Sequence, residues 1–478
     1  MVFTSQIFLW WFLPAVLLPY LLLVAGQRRA AGNRRRWLVA QNAWLLAASY
    51  VFYAWAEPRL LVVLLAVTLG CYAGGVAIAG SPPGSVRRRG SLGCAVVAVL
   101  GTLVFFKYFN FFAVNVGVVS QALGGPAIFS GWSVTLPLGI SFFTFQGLSY
   151  CIDVARGHAP RARSLVDFAC YLAMFPQLVA GPIVRYATVA GQLVERRVCA
   201  DRFGAGTALF MLGVAKKVLL ANPLGEVADA AFGAGQLGWV AAWWGAAAYT
   251  LQLYFDFSGY SDMAVGLGRM FGFEFLKNFA SPYRAVSITE FWRRWHISLS
   301  TFLRDYLYHP LGGNRRGSTR TLVNLGVVML LGGFWHGANW TFLVWGAWHA
   351  LWLIAERLRG KASLLGNVPA PLRAGFTLVI VMLGWVVFRA PSLTEAAGYL
   401  RAMAGGGGET GLLAPLLFGG GKGIVLAIAA GLAIQRREAH DWCEQLTTGR
   451  ALAVLAIFGL AMVAMAAQAF NPFLYFQF

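Results

Sequence analysis

The sequence predicts an all-α polytopic membrane protein with about 11–13 transmembrane or re-entrant helices. Of its 478 residues, 59% are hydrophobic and only 12% are charged, which is too few charges to solvate a globule of this size. Apolar runs of about 20 residues, the length that crosses a bilayer, recur along the whole chain. Basic residues cluster in the short connectors between them. A soluble enzyme is therefore excluded, and we predict a single membrane domain over residues 1–478.

The apolar runs give the order of the predicted helices. They fall near residues 7–25, 37–55, 59–80, 91–120, 134–150, 165–184, 203–222, 237–256, 321–335, 338–357, 370–389, 411–434 and 450–470. Two runs contain proline and glycine: LPLGISFFTFQ includes Pro137 and Gly139, and FPQLVAGPIVRY includes Pro176, Gly181 and Pro182. Because these residues interrupt helical hydrogen bonding, we expect broken segments that line a cavity or re-enter the membrane.

The charge distribution indicates how the chain lies in the bilayer. There are 38 Lys and Arg against 18 Asp and Glu, a net charge of +20. Arginines at 28–36 follow the first run and Arg87 to Arg89 follow the third, so we predict an outside N-terminus and a cytoplasmic first connector. We expect this positive charge to face the lipid bilayer, and we expect no nucleic-acid partner. The six cysteines show no paired spacing, and we expect reduced, structural thiols.

The segment 274–320 is the longest region without a spanning run, and it is rich in Arg, Trp and Tyr. Its stretch FWRRWHISLSTFLRDYLYHPLGGNRRG predicts an amphipathic helix on the cytoplasmic side, with an aromatic face at the membrane interface. Arg293, His296, Ser300 and Arg304 fall on its other face. This face is either a solvated surface with snorkelling arginines or a receptor for a phosphate-rich or acidic partner, such as coenzyme A or a carrier's phosphopantetheine.

His336 interrupts an otherwise apolar run, LVNLGVVMLLGGFWHGANW. A titratable side chain at membrane depth is costly, so His336 is a candidate general base; the alternative is a neutral histidine that bonds a helix carbonyl. We expect Asn339 on the same helical face, where it orients the ring or holds a carbonyl oxygen. His349 is interpreted as structural. The sequence contains no HExxH, GxSxG or P-loop motif and no Cys/His cluster, and we predict no metal site.

Two further groups could carry chemistry. Asp256 and Asp262 flank the end of an apolar run, either as proton relays or, as we favour, in structural pairs with arginines of the amphipathic segment. The C-terminal NPFLYFQF encloses Tyr475 among aromatic residues. Tyr475 is either an interfacial anchor or an acyl acceptor through its phenol.

Seven motifs, in order along nearly the whole chain, resemble the membrane-bound O-acyltransferase (MBOAT) family, specifically its bacterial alginate O-acetyltransferase, AlgI-like branch. They are MVFTSQIFLWWFLP, ASYVFYAWAEPRLL, LPLGISFFTFQGLSYCIDV, FPQLVAGPIVRY, FDFSGYSDMAVGLGRMFGFEFLKNF, SPYRAVSITEFWRRWHISLSTFLRDYLYHPLGGNR and GGFWHGANWTFLVWGAWHA. By this resemblance the family's catalytic histidine corresponds to His336, and its other prominent histidine to His296. The final FLYFQF is similar to an aromatic-tyrosine motif associated with acyl relay, which corresponds to Tyr475.

The resemblance implies a ring of tilted helices around a thin centre, with a cytoplasmic tunnel for a donor thioester and an outer funnel for the acceptor. It implies an O-acyltransferase of the bacterial cytoplasmic (inner) membrane, without a bound cofactor, that takes acetyl from acetyl-coenzyme A or an acyl-carrier thioester. The acetyl group would pass through a periplasmic, esterase-like acetyltransferase to an exopolysaccharide such as alginate. His336 would deprotonate the acceptor, which could be the Tyr475 phenol, and His296 would act on the donor side. The residues expected to bind substrate are Asn339, Arg293, Arg294, Arg304 and Trp335.

Other functions stay open at this point. Peptidoglycan or cellulose O-acetylation and D-alanyl transfer to teichoic acid use the same chemistry. A different class is a proton-coupled transporter or flippase with Asp256, Asp262 and Lys107 as its buried charges, although no internal repeat is evident in the sequence.

Overall fold

The computed structural model describes residues 1–29, 34–126, 128–360, 363–366, 368–408, 415 and 419–468. Over these ranges the regular secondary structure is helical, without a strand, which confirms the predicted all-α class. The main helices are α1 (Ile7–Arg29), α2 (Arg34–Ala56), α3 (Leu61–Ala79), α4 (Val86–Ala122), α5 (Ile140–Arg156), α6 (Leu165–Ala173), α7 (Phe175–Leu178), α8 (Tyr186–Val194), α9 (Ala200–Phe232), α10 (Trp239–Met270), α11 (Ile288–Arg294), α12 (Ile297–Leu303), α13 (Ser318–His336), α14 (Trp340–Leu358), α15 (Ala370–Arg389), α16 (Leu393–Arg401), α17 (Lys422–Ala433), α18 (Ala439–Cys443) and α19 (Thr448–Ala467).

Several helices begin where the sequence provides a side-chain oxygen for an unpaired backbone N–H. In α4 the Ser85 hydroxyl accepts from the N–H of Arg88 at 3.1 Å, and in α11 the Ser287 hydroxyl accepts from the N–H of Glu290 at 3.1 Å. Ser164, Ser392 and Thr447 do the same for α6, α16 and α19. These starts are therefore local properties of the sequence.

Six helices among the described residues are long and apolar enough to cross a membrane: α1, α3, α4, α9, α15 and α19. Large apolar side chains stay on their outer surfaces, with Leu22 of α1 73% exposed and Val463 of α19 70% exposed. Such surfaces suit hydrocarbon, where a helix satisfies its own backbone groups. This is a multi-pass membrane protein, as the sequence predicts.

The breaks predicted from proline and glycine are present. The run 165–184 divides into α6 and α7 at Met174, and α7 ends at Leu178. The helix of the run 134–150 begins only after Gly139, whose backbone is left-handed at φ +69°. A Cβ at Gly139 would lie 2.5 Å from the carbonyl oxygen of Leu178, so both the conformation and the close approach require glycine here.

The chain packs as two compact units. The first contains Met1–Thr207 and Ala264–Leu276, in which α1 packs on α2, α2 on α6, and α3 on both α4 and α5. The second contains Ala208–Met263 and Lys277–Phe478, in which α14 packs on α13, α15 and α11. The described residues that the sequence assigns to catalysis or substrate binding all belong to the second unit. All six cysteines are free thiols, as predicted.

The hairpin of α13 and α14 depends on two glycines. A Cβ at Gly346 would lie 2.5 Å from the carbonyl oxygen of Met329, and a Cβ at Gly333 would overlap the carbonyl oxygen of Phe342. Since neither position has room for a side chain, the two backbones lie in direct contact. This contact determines the position of the C-terminal end of α13, where His336 lies.

We predict that Gly346→Ala lowers the stability of the protein, because its methyl group would force the two helices apart. The expected loss is about 1–3 kcal/mol, the usual cost of overpacking, measured as a lower melting temperature of the full-length protein in detergent. Gly326→Ala on α13 is the matched control, since a Cβ there meets nothing within 4 Å and alanine favours the helix. Equal losses in the two variants would contradict the packing argument.

Candidate active site

His336 is the last residue of α13 and is 8% exposed. Aromatic rings enclose its imidazole: the centroid of Trp335 lies 5.0 Å away, that of Trp345 5.3 Å and that of Phe388 5.4 Å. These rings come from α13, α14 and α15. Three helices therefore hold the imidazole in place and leave a small part of it accessible.

Asn339 does not continue the helical face of His336, and this prediction is wrong. The helix ends at His336, and Gly337 is extended at φ −160°. Asn339 instead caps α14: its Oδ1 accepts from the N–H of Thr341 at 3.2 Å, while its Nδ2 donates to the carbonyl of Pro391 at 2.9 Å. The prediction from the spacing of three residues assumed an unbroken helix. The side chain instead accepts a hydrogen bond from an otherwise unpaired backbone N–H at the start of α14.

The predicted continuous amphipathic helix is also wrong, because the segment breaks at His296. Its backbone is left-handed at φ 43° and ψ 54°, between α11 and α12. The side chain of His296 is fully buried instead of lying on an exposed basic face. The break brings its ring to 6.3 Å from that of His336, centroid to centroid. The structure thus brings together the two histidines that the resemblance singles out.

Asn278 supports this turn, and sequence reasoning missed it. Its backbone carbonyl accepts from the N–H of Ile297 at 2.9 Å, and its Oδ1 accepts from the N–H of Ser298 at 3.1 Å. These bonds hold the first turn of α12 directly after His296. Against the ring itself lies Phe257, at a centroid distance of 4.7 Å. Within the described ranges neither ring nitrogen of His296 has a hydrogen-bond partner.

A cavity of about 440 Å³ opens beside His336. Arg293 of α11 and Arg304, which follows α12, line it together with His336. Its other walls combine the polar Thr289, Ser300 and Tyr308 with apolar residues of α13 and α14. Arg304 is also paired with Asp305 at 2.8 Å, whereas no hydrogen bond or ion pair with a described residue fixes the Arg293 guanidinium. The cavity therefore combines an imidazole, two guanidinium groups and hydroxyl groups.

The other predicted site residues have different positions. Arg294 does not line the cavity: it pairs with Glu290 at 2.7 Å and donates to the carbonyl of Ala280 at 3.0 Å. Trp335 is buried against His336 and His296 and is also absent from the cavity wall. Tyr475 lies outside the described residues. The geometry therefore favours Arg293 and Arg304 as ligand contacts, and gives Arg294 and Trp335 structural contacts.

Glu356 of α14 is a further residue that sequence reasoning missed. Its buried carboxylate accepts from the N–H of Ile288 at 2.6 Å and from the N–H and hydroxyl of Thr289 at 2.9 and 2.7 Å. A carboxylate at a helix N-terminus is favoured electrostatically. It fixes the start of α11, and with it Arg293, to the helix that also borders His336. An acidic residue inside the apolar run 338–357 was the available signal.

Asp256 and Asp262 take part in structural charge pairs, as predicted, but their partners in the structure are lysines. Asp256 lies 2.7 Å from the Nζ of Lys217, and Asp262 lies 2.7 Å from the Nζ of Lys216. All four residues belong to α9 and α10 of the second unit. Lys107, the third charge of the transporter hypothesis, donates to the Ser141 hydroxyl at 3.1 Å in the first unit.

The profile of the membrane-bound O-acyltransferase family, MBOAT, matches residues 154–388, which include the hairpin, the broken segment and the cavity. Similar proteins are also named as acyl-transferring enzymes. A probable alginate O-acetylase AlgI from Pseudomonas putida is 43% identical over 510 aligned positions that cover 100% of both chains. The chain belongs to this family and is an O-acyltransferase, which confirms the predicted family and enzyme class.

Two other relatives carry different names. A peptidoglycan O-acetyltransferase from Helicobacter pylori is 34% identical and aligns with 85% of this chain and 80% of its own. A teichoic acid D-alanyltransferase from Bacillus subtilis is 28% identical over 45% of this chain and 57% of its own. The similarity therefore extends furthest along the chain for the O-acetyl-transferring relatives.

We predict that the stability of the protein falls below about pH 6.5 through His296, which lies outside the candidate spans. Burial lowers the pKa of His296 to about 3, while the unfolded imidazole titrates near 6.5. Between these two pKa values the imidazole is protonated in the unfolded state but not in the folded state. His296 does not lower the free energy of unfolding well above pH 6.5. Between pH 6.5 and about 3 the free energy of unfolding falls by up to about 1.4 kcal/mol per pH unit.

Melting temperature against pH measures this effect, with His296→Asn as the variant because asparagine tolerates the left-handed backbone and does not titrate in this range. The pH dependence between 7.5 and 5 should be smaller in His296→Asn than in the wild type. His158→Asn, at an exposed position, should leave the wild-type curve unchanged. An unchanged curve in His296→Asn would contradict the role given to burial.

Proposed function

We propose that this enzyme transfers an acetyl group from a cytoplasmic thioester, across the bacterial cytoplasmic membrane, for the O-acetylation of an alginate-like exopolysaccharide. The observation that carries the proposal is the cavity that joins His336 to Arg293 and Arg304. The Pseudomonas putida relative, named a probable alginate O-acetylase, supports the acetyl group and the polymer, since it aligns over the whole of both chains.

The cavity suits the end of a phosphopantetheine thioester. Its volume of about 440 Å³ is in the usual range for small-molecule sites. Guanidinium groups bind phosphate through paired hydrogen bonds, so Arg293 and Arg304 would hold the phosphate of acetyl-coenzyme A or of an acyl carrier. The hydroxyls of Thr289 and Ser300 can bond the amides of the pantetheine arm, and the apolar walls exclude water from the thioester.

The chemistry requires one base. His336 takes the proton of an acceptor hydroxyl while the oxygen attacks the thioester carbonyl carbon. The new C–O bond forms as the C–S bond breaks, and the leaving thiolate takes the proton back from the imidazolium. General base catalysis of this kind typically contributes about a hundredfold or more. No metal is needed for this sequence of steps.

His296 is better described as a positioning residue than as a ligand contact. Its ring is fully buried, 6.3 Å from that of His336, and it is not among the described residues that line the cavity. Its ring packs near the rings of Trp335 and His336 and so limits the orientations of the reacting imidazole. This replaces a direct role for His296 on the donor.

The acceptor that we propose is the Tyr475 phenol, which would pass acetyl to a periplasmic, esterase-like acetyltransferase. The last described residue before it, Gln468, is held against α9: its Oε1 accepts from the Nδ2 of Asn222 at 3.1 Å, and its Nε2 donates to the carbonyl of Val218 at 3.3 Å. A tail that starts from a fixed point inside the second unit supports an intramolecular acceptor, because tethering raises the local concentration of the phenol.

We predict that His336→Gln abolishes polysaccharide-bound acetyl in cells and that Tyr475→Phe does the same. The first removes the base and the second removes the acceptor oxygen with little change of shape. Acetyl released by mild alkali from the isolated polymer is the measurement, with membrane levels of each variant matched by immunoblot. His158→Gln, at an exposed position, is the control and should retain wild-type acetyl.

The acyl group is identified by mass spectrometry of Tyr475 peptides from cells that lack the periplasmic partner. Acetyl trapped on Tyr475 would support the relay. D-alanyl trapped on Tyr475 would instead identify the donor as a D-alanyl thioester. Loss of polymer acetyl in His336→Gln alone would remove Tyr475 from the pathway. Normal acetyl in His336→Gln would contradict the assignment of the base.

We also predict that Arg293→Gln/Arg304→Gln raises the KM for the thioester donor by about tenfold or more, because hydrogen bonds to charged groups contribute about 1.5–3 kcal/mol each. The rate of acetyl loss from the donor in proteoliposomes, measured against donor concentration, gives KM and kcat separately. Arg315→Gln/Arg316→Gln removes the same charge from exposed positions outside the cavity wall and should leave KM unchanged. A similar rise in KM in both double variants would contradict a specific contact and indicate only a general attraction between positive charge and an anionic donor.

A further inference from the structure

A second cavity, of about 540 Å³, lies in the first unit at the ends of α1 and α2. We call it the basic pocket. Its wall includes six arginines: Arg28, Arg34, Arg35, Arg163, Arg196 and Arg197. Glu195 is the one carboxylate in the described part of the wall. Nothing in the acyl-transfer mechanism uses this pocket.

Arg196 is the buried part of the pocket, with 6% of its surface exposed. Its Nε donates to the Tyr20 hydroxyl at 3.0 Å and its Nη1 to the Oδ1 of Asn42 at 2.6 Å. The guanidinium also lies 4.4 Å from the ring centre of Phe273. In the described part of the chain its Nη2 is buried without a hydrogen-bond partner. A guanidinium that is held rigidly by these contacts thus forms part of the wall of the cavity.

The pocket is electrostatically incomplete. Six guanidinium groups around one cavity repel each other, and an isolated charge that is buried without compensation is costly. Among the described residues Arg196 forms no ion pair, and the contacts of its Nε and Nη1 are neutral oxygens. An anion in the cavity would remove the repulsion between the guanidinium groups. Phosphate is the anion that several arginines bind best, because guanidinium edges match its oxygens.

The position of the pocket favours a phospholipid as the source of that phosphate. Arg28 lies in the last turn of α1, a candidate membrane span, and Leu22 of that helix is 73% exposed. Val24 and Leu38 add an apolar side to the wall. An apolar wall beside arginines at the end of a spanning helix matches the boundary between acyl chain and headgroup. Basic pockets of this kind on the cytoplasmic side bind anionic headgroups.

We propose that the basic pocket binds the phosphate of an anionic phospholipid headgroup, with Arg196 as the buried contact and Arg34 and Arg35 as outer contacts. The site is separate from the acyl-transfer cavity, and its test does not depend on the proposed function. Bound lipid would stabilise the first unit, because a ligand that binds only the folded state raises the melting temperature.

The test compares the full-length protein in nanodiscs of phosphatidylcholine with nanodiscs that also contain phosphatidylglycerol. We expect phosphatidylglycerol to raise the melting temperature by about 2–4 °C, and native mass spectrometry to retain one molecule of it. Arg34→Gln/Arg35→Gln, at exposed positions that need not disturb folding, should lose most of the shift and the retained lipid. Arg436→Gln/Arg437→Gln removes an equally exposed arginine pair elsewhere and should keep both.

Three results would overturn the proposal. Equal losses in the two double variants would assign the effect to diffuse surface charge. Equal melting temperatures with and without phosphatidylglycerol would exclude an anionic phospholipid as the ligand of the pocket. Inorganic phosphate added to phosphatidylcholine nanodiscs separates the two sources: the same shift, lost in Arg34→Gln/Arg35→Gln, would keep a phosphate site but replace the lipid with a soluble phosphate.

Discussion

In the hairpin of α13 and α14, the backbone at Gly346 lies directly on that at Met329, with no side chain between them. This contact places the end of α13, and therefore His336, against Trp345 of the facing helix. The same α14 carries Glu356, whose carboxylate holds the N-terminus of α11. One helix thus determines the position of the imidazole and that of α11, which carries Arg293, and the cavity between them follows from its packing.

Charged groups inside this apolar protein are stabilised in pairs or by hydrogen bonds. Lys216 and Lys217 pair with the acids of α10, and the carboxylate of Glu438 accepts from the Tyr254 hydroxyl at 2.9 Å and from the N–H of Ser281 at 2.5 Å. Removing one partner would leave an uncompensated buried charge, which typically costs about 3–5 kcal/mol. These contacts stabilise the buried acidic residues without requiring a proton pathway. Arg293, by contrast, faces the cavity, where a ligand can reach it.

The left-handed residue His296 shows how the site uses strain. This backbone conformation costs about 1–2 kcal/mol in a residue other than glycine, and the hydrogen bonds from the turn to Asn278 offset that cost. In return, a continuous surface helix becomes two short helices with a buried ring between them. The ring then lies 6.3 Å from the centroids of both Trp335 and His336. Strained residues of this kind concentrate at functional sites because the surrounding structure must hold them.

The sequence by itself determined the all-α membrane class, several helix starts, the breaks near Gly139 and Met174, and the choice of His336 as a candidate base, because hydrophobicity, capping and backbone restrictions act over a few residues. Only the tertiary structure decided that Asn339 caps α14, that His296 turns inward and that lysines pair with Asp256 and Asp262. These outcomes depend on contacts between residues far apart in the chain. A periodic pattern assumes an unbroken helix, and it cannot register the remote hydrogen bonds, such as those of Asn278 and Glu356, that stabilise a break.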